Sequence, residues 1–334
     1  MSRRNILVVA LIFACPSLTF ADGESSEPII TTTPVIFAPG VVSGPANDGA
    51  PAIAPDGKTL YFGRAGGTWG FILESHMVSG QWSEPVIASF SGQWSDSQPA
   101  LSPDGSLLIF QSTRPAEKNL PPEQALAARR SSFWQVKRTA NSWSEPERLP
   151  DTVNISPSVW KPSIAADGSI YFMAKTDDNK TWRLFKSSYV KGSYEKAIPL
   201  SFSDGNSTDV DPEIAPDQSF LIFSSAGRTP GDTHEHLFIT FREGNDWGAI
   251  TPLRYEGDYA KNPADDGEAH LSPDLRTVYF NSGRTVPVHY SRTRAEAAED
   301  FKRLNLWDNS NSNAWSISIA PWLDAHKAAG FSAS

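Results

Sequence analysis

Cysteine is all but missing. Cys15 is the only one in 334 residues. That excludes a disulfide framework and leaves stability to packing. No Gly-x-Ser-x-Gly elbow, no phosphate-cradling Gly-rich loop and no dinucleotide fingerprint occurs, so the commonest hydrolase and nucleotide-binding signatures are absent. Positive charge is in deficit. Lys and Arg number 29 against 38 Asp and Glu, a net charge of −9. No basic face is suggested, which argues against nucleic acid as a partner. Long apolar runs are lacking too. Residues 6–14, ILVVALIFA, are too few to span a bilayer.

That short run stands in leader order. Arg3 and Arg4 precede it, and Thr19-Phe20-Ala21 supplies small residues before Asp22. The order predicts a signal peptide over 1–21 and a periplasmic or secreted protein. A lipoprotein reading would use Ile12-Phe13-Ala14-Cys15, but Phe13 is bulky for that box and Pro16 follows the cysteine. Residues 22–33 read as a flexible N-terminal segment.

What the chain has in abundance is one phrase, written five times. It stands as IAPDGKTLYF at 53–62, LSPDGSLLIF at 101–110, IAADGSIYF at 164–172, IAPDQSFLIF at 214–223 and LSPDLRTVYF at 271–280. Pro presets φ for a type I turn and Gly closes it. Strands on either side make a hairpin. The turn aspartates Asp56, Asp104, Asp167, Asp217 and Asp274 are repeat-structural on this reading. A third strand follows in the first four units, at 71–75, 133–138, 182–187 and 237–241. A turn then delivers Trp82, Trp143, Tyr194 or Trp247 to a fourth strand. Four antiparallel strands per unit make a propeller blade. A repeat of this kind buries its apolar face only against its neighbours.

The predicted fold is all-β, a single β-propeller of five four-stranded blades over 34–322, with a tail at 323–334. The insert 115–131 reads as a loop with one helical turn near Glu123–Arg130. The last unit detours through 285–312, resumes with a third strand at 314–320 and lacks a fourth. Residues 34–43 resemble the fourth strands elsewhere, so the N-terminal segment is expected to close the ring and remove the open seam.

The phrase (Ser/Ala)-Pro-Asp-Gly-x-x-Leu-x-Phe, followed by a basic residue at Arg64, Arg114, Lys175, Arg228 and Arg284, resembles the TolB-type, WD40-like β-propeller repeat. The resemblance covers about 34–320. Ala166, Gln218 and Leu275 depart from it. It implies a propeller, and a family that includes non-catalytic protein-binding scaffolds. TolB itself has six blades and an added domain, so its own role is not carried over.

Candidate site residues come from the innermost strands. One register holds Asp48, Asp96, Val159, Asp209 and Asp266. The next holds Ala50, Gln98, Lys161, Asp211 and Glu268, and the third Ala52, Ala100, Ser163, Glu213 and His270. Strand alternation is expected to put all three on one side, facing the channel. The ligand-binding candidates are therefore Asp209, Asp211, Glu213, Asp266, Glu268 and His270, with Lys161 as counter-charge. Crowded carboxylates raise one another's pKa or recruit a cation, and calcium is the cation expected if one is bound. The recurring Asp of the first register reads rather as a blade-to-blade latch, accepting from loop amides or from the recurring Arg, while Asp211, Glu213, Glu268 and His270 read as either a site or a solvated rim. His234 and His236 read as a solvated pair. Two function classes stay open. One is an exported, monomeric, non-catalytic scaffold binding a protein or a saccharide. The other is a carbohydrate-active hydrolase with carboxylates at the channel mouth, served by Trp160 and Tyr259 as subsite aromatics.

Overall fold

In each repeat the residue after Asp adopts a left-handed backbone, with φ of 66° at Gly57, 71° at Gly105, 86° at Gly168, 61° at Gln218 and 60° at Leu275. Its amide bonds back three residues, as from Gly57 to the Ala54 carbonyl at 2.8 Å. Each turn Asp then accepts the amide two residues on, from Lys58, Ser106, Ser169, Ser219 and Arg276 at 2.8–3.1 Å. The side chain thus supplies the acceptor that keeps the turn tight even where glycine is missing.

The computed structural model describes residues 30–332 except 68, 118–119, 128–129, 141, 176–180, 229–230 and 262–263. The predicted leader and Cys15 lie outside the described residues. Five antiparallel sheets form five blades. Blade two runs Asp96–Leu101, Leu107–Ser112, Ser132–Lys137 and Glu147–Arg148. Blades three and four begin with Val159–Ile164 and Thr208–Ile214. In blade one the inner strand is split into Asn47–Asp48 and Ala52–Ile53, both paired with Thr59–Gly66. Outer strands are short where proline intervenes, as at Val86–Ile87 after Pro85, because proline cannot donate to the ladder.

Blade five closes as expected. Val35–Ile36 pairs antiparallel with Asn313–Ser318, Val35 facing Ser316 and Ile36 facing Trp315. Phe37 N–H extends the ladder to the Ala314 carbonyl at 2.8 Å. Ser43 Oγ donates to the same carbonyl at 3.0 Å.

Five apolar clusters each straddle a blade boundary. Tyr61, Phe90 and Phe110 pack between blades one and two, while Phe223, Tyr171 and Leu184 pack between three and four. The repeated Trp sits here: Trp143 Nε1 donates to Tyr61 Oη at 3.1 Å. Burying these faces removes the apolar area that an isolated blade would expose.

Among the described residues three α-helices decorate the ring. α1 (Pro122–Ala127) lies in the blade-two insert. α2 (Arg294–Leu306) fills the blade-five detour and starts with a Thr293–Glu296 capping box. α3 (Ala320–Ser332) occupies the segment expected as a tail and is anchored by buried Trp322. Among the described residues no helix is long and apolar enough to cross a membrane.

Candidate functional site

The inner strands do not keep their period of two. Pairing with the second strand shifts register between Trp160 and Ser163, Val210 and Glu213, and Gly267 and His270, and in blade two opposite Ile109 to Gln111. A bulge inserts one extra residue there. In blades two to five it holds Gln98, Lys161, Asp211 and Glu268 at φ of 49–53°. The expectation of one uniform channel-facing side is therefore corrected. The three registers divide between two different jobs.

The first register clasps arginine. Arg64 Nε meets Asp48 Oδ1 at 2.6 Å, Arg114 Nη2 meets Asp96 Oδ1 at 2.9 Å, and Arg284 Nη2 meets Asp266 at 2.9 and 3.0 Å. Arg228 holds Asp209 through two parallel bonds of 2.9 and 2.8 Å. Burial outweighs arginine at Asp48 and Asp266, and both carboxyls are pushed up. Blade three has Val159 here, and its Lys175 is exposed and stands over Trp182 instead. Asp209 and Asp266 are thus placed apart from the other candidates.

The second and third registers staple blade to blade. Gln98 Oε1 of blade two accepts the Lys161 amide of blade three at 2.7 Å. Asp211 Oδ2 of blade four accepts the Glu268 amide of blade five at 2.8 Å. The Glu268 carboxylate in turn accepts the Ala50 amide of blade one. Gln98 Nε2 also reaches over small Ala50 to Glu268 Oε1 at 3.2 Å. One layer along, Ser163 Oγ accepts the Ile214 amide at 3.0 Å and Glu213 Oε1 accepts the Leu271 amide at 3.0 Å. At Lys161 and Glu268 a left-handed backbone aims the amide across the boundary, which is the use of a strain that non-glycine residues otherwise avoid.

Charges converge around Lys161, which is fully buried. Its Nζ lies 3.4 Å from Glu213 Oε2, and His270 Nδ1 lies 3.5 Å from the same oxygen. Burial alone would raise the Glu213 carboxyl. Lys161, His270 and the Leu271 amide overcome it and hold Glu213 down at about 2. Burial, aided by Lys161, lowers His270. Glu268 is pushed up to about 7 by burial and by Asp211, and burial likewise raises Asp211. Sequence reading missed Glu235, a loop residue carrying no repeat signal. Burial, Asp211 and Asp265 push it up to about 7. Among the described residues no three His, Cys, Asp or Glu side chains converge closely enough to hold a metal ion. His234 and His236 instead pair with Asp265 at 3.3 Å and Asp232 at 2.7 Å.

The channel opens at two ends. At the turn end, a cavity of ≈ 140 Å³ is ringed by Ile53, Leu101, Ile164, Ile214 and Leu271, one from each blade, with Glu213 at its wall. At the other end a cavity of ≈ 100 Å³ is lined by Gln98, Glu268, Asn281 and the start of blade one. The expected subsite aromatics line neither. Trp160 packs in the boundary of blades three and four, and Tyr259 against Trp315.

No family profile matches the sequence, and no curated protein matches it. Among solved structures, the TolB candidate of Agrobacterium tumefaciens is 17% identical over 71% of this chain and 70% of that one, with a TM-score of 0.46. TolB of Acinetobacter baumannii is 13% identical over 82% of this chain and 54% of that one, with a TM-score of 0.45. A thermostable family-43 glycoside hydrolase is 10% identical over 74% and 86%, with a TM-score of 0.48. At such identities and scores these likenesses decide nothing about function. The fold rests on the blades themselves: the chain is a five-bladed β-propeller, written by a phrase that resembles the TolB-type repeat.

Proposed function

We propose that this protein is an exported, non-catalytic binding propeller whose protein partner seats an aliphatic side chain in the collar at the turn end. The observation that carries the reading is where the two most contrasted carboxyls open. Glu213, held ionised, lies at the turn-end cavity, while Glu268, the readily protonated one, lies at the opposite cavity. A glycosidase needs its acid and its base or nucleophile flanking one bond, about 5–9.5 Å apart across a shared pocket. Glu213 and Glu268 line separate cavities, so this pair has no shared pocket in which to flank one bond. Both also accept backbone amides of the next blade, a structural task.

The collar has the chemistry of a docking point. Five aliphatic side chains converge, and Pro55, Pro103, Pro216 and Pro273 stiffen the rim. Lost order on binding is therefore small. Apolar contact in a preformed pocket favours an aliphatic anchor over a sugar, whose hydroxyls would go unmatched. Export rests on the leader order of residues 1–21 and predicts a mature N-terminus at Asp22.

A random peptide library displayed against the protein tests the binding role. Selected peptides should carry a recurring Leu, Ile or Val and lose at least about tenfold in affinity against Leu271→Asp, the loss of roughly 1.4 kcal/mol or more. Binders insensitive to both Leu271→Asp and Ile53→Asp would place recognition elsewhere.

A further inference from the structure

We propose that α2 is the contact face of a two-fold homodimer, packing antiparallel against the α2 of a second copy about Phe301, in place of the monomer expected from the sequence. The face lies away from the aliphatic collar, and the inference does not rest on the partner-binding reading.

The first observation is a helix with its apolar side outward. α2 buries none of its residues fully. Its largest apolar side chains stand in solvent, Phe301 at 66% exposure and Leu304 at 52%, and nearby Tyr290 stands at 84%. Tyr290 is tied to the helix through Arg292, whose guanidinium lies 5.5 Å from the Tyr290 ring and bonds Asp300. A helix of 13 residues is marginal by itself in water, and packing of its apolar stripe is what normally holds it. The ring grips the C-terminal end, where Trp307 is buried and Arg303 meets Asp308 at 3.2 Å. The stripe of Ala297, Phe301 and Leu304, spaced as one helix face, is left for another surface.

The second observation says what that surface is. After Arg294, α2 is acidic before Phe301, with Glu296, Glu299 and Asp300, and basic after it, with Lys302 and Arg303. Glu299 and Lys302 are exposed, and neither joins an ion pair among the described residues. Antiparallel packing about Phe301 sets the acidic half of each copy beside the basic half of the other, whereas parallel packing sets like beside like. Sizes match in the same way. Two-fold symmetry about Phe301 brings Leu304 level with the second copy's Ala298, so a large side chain enters a groove over a small one. A patch that complements itself is what an isologous interface requires. One helix pair about 20 Å long lies at the small end of specific interfaces, below about 1,200 Å², so the dimer is reversible. The detour that carries α2 stands at the channel end opposite the turns, where Ser312 lines the cavity. Pairing there leaves the collar of each copy open.

The test is sedimentation velocity of the full chain from about 0.1 to 100 µM, the range in which a small interface assembles. The parent should pass from monomer to dimer across it. Phe301→Asp, at an exposed site, should keep the parent's Tm at low concentration and weaken the dimer about tenfold or more. Lys302→Glu alone, or Glu299→Lys alone, sets like charges together and should weaken it too. Mixed one to one, these two variants should pair with each other and restore the dimer. A role inside one chain does not produce that rescue. The inference fails if the parent stays monomeric throughout, which leaves the face to a different protein. It fails equally if Phe301→Asp dimerises like the parent, or if the mixture of the two charge variants stays apart.

Discussion

The backbone amide of Glu268 donates to Asp211 Oδ2 at 2.8 Å, and that bond joins blade four to blade five. It requires Glu268 to hold φ near 49° and Gly267 to lack a side chain. The acidic residues of the channel are thus fixed by backbone geometry of the neighbouring blade.

A first prediction separates acceptor from charge. Asp211→Ala strands the Glu268 amide and should lower unfolding free energy by about 1–3 kcal/mol. Asp211→Asn keeps an acceptor and relieves repulsion with Glu268 and Glu235, so its stability should match or exceed the parent's. Urea unfolding of both variants checks the order.

The arginine clasps give a second. Asp266 and Arg284 are both essentially fully buried. Removing one partner leaves the other charge uncompensated, so Asp266→Val should cost about 3–5 kcal/mol. Asp266→Val with Arg284→Lys copies blade three and should recover part of that loss. A double variant no better than the single would show the clasp to be additive.

This pairing was legible in the sequence. Asp and Arg recur together in four blades, and blade three loses both at Val159 and Lys175. The turn phrase and the closing strand were legible for the same reason, since each repeats. The bulges were not. Gln98, Lys161, Asp211 and Glu268 are ordinary residues in a left-handed conformation, and alternation read from sequence runs straight through them. Only Gly49 and Gly267 hinted at a close approach. The aliphatic collar hid inside the phrase itself, one residue before each Ala or Ser. α2 escaped notice although Thr293 and Glu296 spell a capping box, because an interruption of a repeat is easily read as loop.

Closure gives a third prediction. Val42 is fully buried, and Ser43 Oγ bonds the Ala314 carbonyl. Deleting residues 22–44 should expose the edge of Asn313–Ser318 and lower Tm sharply. An unchanged melt would reject closure by this segment.

The fourth concerns pH. Glu268 and Glu235 sit at about 7 in the fold against an ordinary 4.5. The folded state therefore holds more protons than the unfolded state between those values, so stability falls as pH rises from about 4.5 through 7 and is flat above. Glu213, held at about 2, acts oppositely: its contribution is full above 4.5 and is lost as pH falls toward 2. Tm against pH should peak near the ordinary glutamate pKa of about 4.5, and Glu268→Gln should flatten the limb above it.

The central claim is that the channel carboxylates hold the ring and do no chemistry. Glu213→Gln tests it, read by melting and by release of nitrophenol from a panel of nitrophenyl glycosides. Lys161 then loses its counter-charge and the Leu271 amide keeps only an amide oxygen, so Tm should fall by several degrees, while parent and variant alike release nothing above buffer. Turnover by the parent that Glu213→Gln abolishes with Tm unchanged would contradict the account.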